Sequence, residues 1–109
     1  MTKNIEHEIS SGNVFADLGL PEPEKALAKA HLAHRISAII EQRKLTQAKA
    51  AEILGIPQPR VSNLVRGRLS GFSMDRLVKF LNALDQDVEI TVKPRPRSRR
   101  YAQIRVLTG

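Results

Sequence analysis

The stretch Thr46-Gln-Ala-Lys-Ala-Ala-Glu-Ile-Leu-Gly-Ile-Pro-Gln-Pro-Arg-Val-Ser-Asn-Leu-Val-Arg-Gly67 decides the fold of this chain. Its apolar residues Ala50, Leu54, Ile56, Val61 and Leu64 recur at helical spacing on either side of Gly55. Two short helices joined by a tight turn satisfy that pattern, with Thr46 capping the first and Gly67 ending the second. Ala50 and Ala51 are small where two helices must cross closely, and Gly55 can take the left-handed backbone of the turn without strain. This is the arrangement of a helix-turn-helix. In that motif one helix crosses a nucleic-acid backbone and the next presents a polar face to the major groove.

The second helix is predicted from about Pro59 to Arg66. At 100° per residue Val61 and Leu64 turn inward, and Pro59, Ser62, Asn63 and Arg66 turn outward, with Gln58 at the start and Arg60 on the flank. Side-chain amides bond adenine bidentately and arginine does the same to guanine. Gln58 and Asn63 are therefore candidate base readers, and Arg60 is a candidate for a base or a phosphate. Gln47, in the first turn of the preceding helix, can offer its backbone N–H and amide to a phosphate. Lys49, Ser62, Arg66 and Arg68 are further phosphate candidates. Because Gln58 precedes a proline, it is expected as the helix cap, with Pro59 at the first helical position.

Outward from this stretch, Glu22 to about Lys44 reads as an Ala-rich helix with an apolar stripe of Leu32, Ile36, Ile39 and Ile40. Ser73 is a candidate cap for a fourth helix, with Phe72 and Leu77 at hydrophobic-staple spacing and Leu77, Leu81 and Leu84 as its core stripe. Residues 1–12 are polar and expected to be disordered. Val14, Phe15, Leu18 and Leu20 form a short amphipathic turn that must cover an apolar surface, either of this domain or of a partner. The three parts are thus 1–12, a helical domain 13–86, and a segment 87–109 that combines a strand with basic residues.

Val88-Glu-Ile-Thr-Val92 switches to period two and predicts a strand. A lone strand leaves backbone groups unpaired. Ala102-Gln-Ile-Arg-Val106 could close a hairpin with it, or the same strand of a second copy could pair with it. The second option makes Val88, Ile90 and Val92 a dimer seam and suits a reader of palindromic half-sites.

The 109 residues allow one domain with one modest, aliphatic core. Net charge is +7, and it is unevenly placed. Residues 46–72 carry four basic and one acidic residue, and residues 93–109 carry six basic and none. A polyanion suits that footprint. Arg97, Arg99 and Arg100 are candidate accessory phosphate contacts, or else part of a solvated tail. No cysteine is present, which removes disulfides and thiolate chemistry. His31 and His34 lie three apart on a helix, but no third ligand accompanies them, and packing or surface roles are the simpler reading. No phosphate loop, catalytic triad or carboxylate dyad is present. The expectation is a non-enzyme with no cofactor and no metal. With no apolar run long enough to span a bilayer, it is expected in the cytoplasm of a bacterium, without a membrane partner.

The block Leu45–Gly67 resembles the lambda-repressor-like, XRE-type helix-turn-helix family. Asn13–Pro21, Phe72–Leu77 and Asp87–Val92 are similar to the flanks of HigA-like antitoxins of bacterial toxin–antitoxin pairs, so the resemblance covers most of residues 13–107. It implies a mainly α, lambda-repressor-like bundle with a C-terminal strand used in dimerisation. It also implies repression of the protein's own operon by a homodimer on a palindromic double-stranded DNA operator, and neutralisation of a RelE-like ribonuclease toxin by direct contact. By that analogy Gln47, Gln58, Arg60 and Asn63 take the family's DNA-contact positions. Val14, Phe15 and Leu18 are candidate toxin contacts, as is the C-terminal tail. The resemblance also admits a stand-alone repressor without a toxin. A protein-interaction module that does not bind DNA is the alternative from another class.

Overall fold

The computed structural model describes residues 22–100 and 105–107. Four helices follow one another: α1 (Glu22–Gln42), α2 (Gln47–Leu54), α3 (Gln58–Val65) and α4 (Met74–Ala83). The long α1 packs on α4 and α3, while α2 packs on α3 and more lightly on α4. The core is aliphatic with two phenylalanines, Phe72 and Phe80, in edge contact at 6.0 Å between ring centroids. Every member of the α1 stripe Leu32, Ile36, Ile39 and Ile40 is buried, as are Leu77, Leu81 and Leu84. Phe80 is buried with them, so α4 seats a broader face than its leucines alone define.

Local chemistry sets most of the boundaries. Thr46 is extended, and its hydroxyl accepts the Lys49 N–H at 3.0 Å, which starts α2. Ser73 does the same for α4, accepting the Arg76 N–H at 3.1 Å, with Phe72 and Leu77 both buried as a staple. Gly55 ends α2 at φ 71°. Beyond α3, Gly67 lies at φ 77°; its N–H bonds the Leu64 carbonyl, and that of Arg68 bonds the Asn63 carbonyl. This pair of bonds is a Schellman motif, and glycine removes the Cβ penalty of the left-handed residue at its centre.

The ends of α1 and α4 repeat that geometry without glycine. Lys44 and Asp85 are left-handed at φ 55° and 65°. The N–H groups of Leu45 and Gln86 reach back to the Ile40 and Leu81 carbonyls. The two ends meet, because the Arg43 guanidinium donates to the Leu84 carbonyl at 2.7 Å.

Three expectations need correction. Helix α1 stops at Gln42, two residues before the expected Lys44, because the backbone turns left-handed at Lys44. Helix α3 starts one residue early. Pro57 occupies the cap position, Gln58 is the first helical residue and Pro59 the second. Pro59 is tolerated there because the first helical N–H groups have no partner inside the helix anyway.

The third correction concerns the strand. Residues 86–96 have no regular secondary structure, and there is no strand among the described residues. Residues 102–104 of the second alternation, the candidate hairpin partner of Val88–Val92, lie outside the described residues. Val88 and Val106 are half-buried against the core, whereas Ile90 is exposed and Val92 is 83% exposed. Residues 1–12 and the turn holding Val14, Phe15 and Leu18 also lie outside the described residues.

Candidate nucleic-acid interface

Val61 and Leu64 fix the orientation of α3. They are 0% and 1% exposed, in contact with the core built by Ala50, Ala51 and Leu54 of α2. With those two residues inward, Gln58, Pro59 and Arg66 are fully on the surface and Ser62 and Asn63 are half-buried at its edge. The surface of α3 carries no acidic side chain. Gln47 is exposed at the first position of α2, whose first turn is likewise free of acids. Arg68 is exposed just past the Schellman turn.

Two of the basic side chains are engaged within the protein. The Lys49 ammonium pairs with Glu52, the acidic residue of this region, at 3.1 Å. Both groups are exposed, and a surface pair of this kind contributes at most about 1 kcal/mol, so a phosphate can displace the carboxylate. Arg60 is held more firmly. Its Nη2 donates to the Gly71 carbonyl at 3.1 Å, and its guanidinium carbon lies 4.2 Å from the centroid of the Phe72 ring. Sequence reasoning placed Arg60 on the flank of the reading face but gave no role to Gly71 or Phe72 around it. The glycine immediately before a staple residue was the one available signal.

The sequence model of the family described as "Helix-turn-helix domain" matches residues 14–93. A solved structure named "Putative XRE Family Transcriptional Regulator" superposes with a TM-score of 0.76 at 48% sequence identity, covering 82% of this chain and 100% of that one. The chain belongs to the XRE family of helix-turn-helix proteins. No curated protein matches it. In this XRE-family chain, α2, the Gly55 turn and α3 form the helix-turn-helix unit, and α1 and α4 are the platform beneath it.

In the C-terminal segment, the Arg95 guanidinium donates to the Pro96 carbonyl at 3.3 Å and to the Arg99 carbonyl. The Arg99 N–H bonds the Pro96 carbonyl at 3.1 Å. The basic run is therefore folded into a local turn, with Arg97 and Arg100 exposed and Arg99 half-buried. His31 and His34 are both exposed. Among the described residues no three or more His, Cys, Asp or Glu side chains gather as metal ligands, and no helix is long and apolar enough to cross a membrane.

Proposed function

We propose that this XRE-type DNA-binding regulator reads a palindromic operator as a homodimer. In this reading it represses its own operon as the antitoxin of a type II pair and neutralises a RelE-like ribonuclease toxin. The observation that carries the reading of bases is the placement of Gln58 and Asn63. Gln58 is exposed at the first position of an acid-free α3, and Asn63 stands further along the same helix beside exposed Arg66. A helix seated by Val61 and Leu64 leaves these amides among the groups able to bond base edges. Gln47, Lys49, Ser62, Arg66 and Arg68 supply phosphate contacts that set register, and Arg97, Arg99 and Arg100 extend the basic footprint.

A titration of labelled operator tests the reader. Gln58→Ala or Asn63→Ala should each cost about 1–3 kcal/mol on the specific site, with little change on random DNA. Unchanged operator affinity in the double variant would remove both residues from the reading face and favour a module that binds proteins alone.

The homodimer is supported by the exposed side chains of Ile90 and Val92, on a segment whose backbone has no partner strand among the described residues. Val92→Arg should shift sedimentation to the monomer and weaken binding to the palindrome more than to a half-site. The antitoxin role is supported by the likeness of the flanks at 13–21, 72–77 and 87–92, with Val14, Phe15 and Leu18 as the toxin-contacting side chains. Co-expression with the product of the neighbouring reading frame tests it: a stable complex that silences a ribonuclease is the expected result. The site of action is then the bacterial cytoplasm. A stand-alone regulator is the second reading, favoured by the 48%-identical solved protein, which is named as a transcriptional regulator. A neighbouring frame without a toxin would select it.

A further inference from the structure

We propose that Arg60 is a positioning residue that aims the reading helix, rather than a group that itself touches DNA. The inference rests on the assignment of Gln58 and Asn63 as base readers. It begins with how α3 starts. Its cap is Pro57, which makes no side-chain hydrogen bond to the helix. Backbone bonds from the Arg60 and Val61 N–H groups to the Pro57 carbonyl, at 2.9 and 3.3 Å, close the first turn. Gln58 sits in that turn, and without a side-chain cap its direction depends on whatever else holds the turn.

The Arg60 side chain does hold it. From the third position of α3 it spans eleven residues in sequence to the loop before α4 and donates to the Gly71 carbonyl. Its guanidinium lies over the Phe72 ring, which is buried and meets Phe80 of α4 edge-on. A hydrogen bond from one nitrogen of a planar guanidinium whose centre also lies over a ring constrains both distance and orientation, which a point charge cannot do. The first turn of α3 is thereby tied to α4, the helix that carries the core. Gly71 is part of the fit, because a Cβ there would lie 3.2 Å from Arg60 Nη1. A methyl at position 71 obliges the guanidinium to shift by a few tenths of an ångström on its seat.

The test compares Arg60→Lys, Arg60→Ala and Gly71→Ala in the full chain, each verified as folded by circular dichroism. Titrations use operator and random duplex across a salt series. Arg60→Lys keeps the charge and loses the planar guanidinium that joins the Gly71 carbonyl to the Phe72 ring. It should lower operator affinity by about tenfold, the low end of one bidentate base contact, and leave random-DNA affinity and salt slope unchanged. Gly71→Ala, which leaves Arg60 in place, should move operator affinity in the same direction. In a Gln58→Ala background Arg60→Lys should add little further loss, since the contact it aims is already gone.

Three results would overturn the inference. One is operator affinity unchanged in Arg60→Lys while Gln58→Ala still weakens it. A second is a salt slope lowered by about one counterion in Arg60→Ala and restored in Arg60→Lys, which marks a direct phosphate contact. The third is an Arg60→Lys loss fully additive with Gln58→Ala while Gly71→Ala is neutral, which marks a direct base contact. If Gln58→Ala and Asn63→Ala are themselves silent, the reading of bases fails and this inference falls with it.

Discussion

Helices α3 and α4 are neighbours in sequence and similar in length, yet they start in opposite ways. Helix α4 opens with a serine cap, a staple and an aspartate in its first turn, so its beginning is specified by the residues next to it. Helix α3 opens on a proline with no cap and a second proline inside it. The difference follows from what each helix faces. Helix α4 buries Met74, Leu77, Phe80 and Leu81, whereas α3 buries only Val61 and Leu64 and spends the rest of its surface on amides, a hydroxyl and cations. A helix whose outer face is kept for a ligand has few side chains left to hold itself, and the hold comes from elsewhere in the chain.

That contrast can be broken or sharpened by substitution. Leu77→Ala removes a fully buried side chain from α4 and should cost about 2–5 kcal/mol in denaturant unfolding. Gly67→Ala, at the left-handed residue that stops α3, has open space for its methyl, so its cost is backbone strain alone. Thermal or denaturant melting should lose about 1–2 kcal/mol there. Ser73→Ala deletes the α4 cap and should lower stability by about 1 kcal/mol, with operator affinity preserved once the protein is folded. The smallest effect belongs to Pro57→Ser, which offers α3 the cap it lacks. The gained hydrogen bond and the lost rigidity of proline oppose each other, and the net change should stay within about 0.5 kcal/mol. A large gain from that substitution would mean that α3 is poorly anchored, and that Arg60 holds it less than the geometry implies.

The sequence was most legible where a helix boundary is local chemistry. Thr46, Gly55, Ser73 and the Phe72–Leu77 pair each announce their role within four residues; α2 starts and stops, and α4 starts, where those signals put them. Legibility fell where a signal was missing or doubled. The end of α1 has a lysine in the left-handed position, where glycine would have marked the stop. The start of α3 has two prolines competing for it, and the expected cap moved by one residue. Period two at 88–92 was read correctly as an alternation, but a strand also needs a second strand, which the described chain does not bring to it.

For the candidate site, the inward pair Val61 and Leu64 and the outward Gln58 and Arg66 followed from helical geometry. The engagement of Arg60 did not, because its hydrogen-bond partner is a backbone carbonyl eleven residues away. Every residue has a carbonyl, so the only mark on that of Gly71 is its place just before the staple residue Phe72.

The bond from Arg43 to the Leu84 carbonyl has a consequence for the spacing of attached groups. It places the exit of α4 beside the far end of α1, whose 21 residues rise about 30 Å from Glu22. From Glu22 to Leu84 the path therefore runs from one end of α1 to the other. Groups attached at Glu22 and at Leu84 would stand about the length of α1 apart.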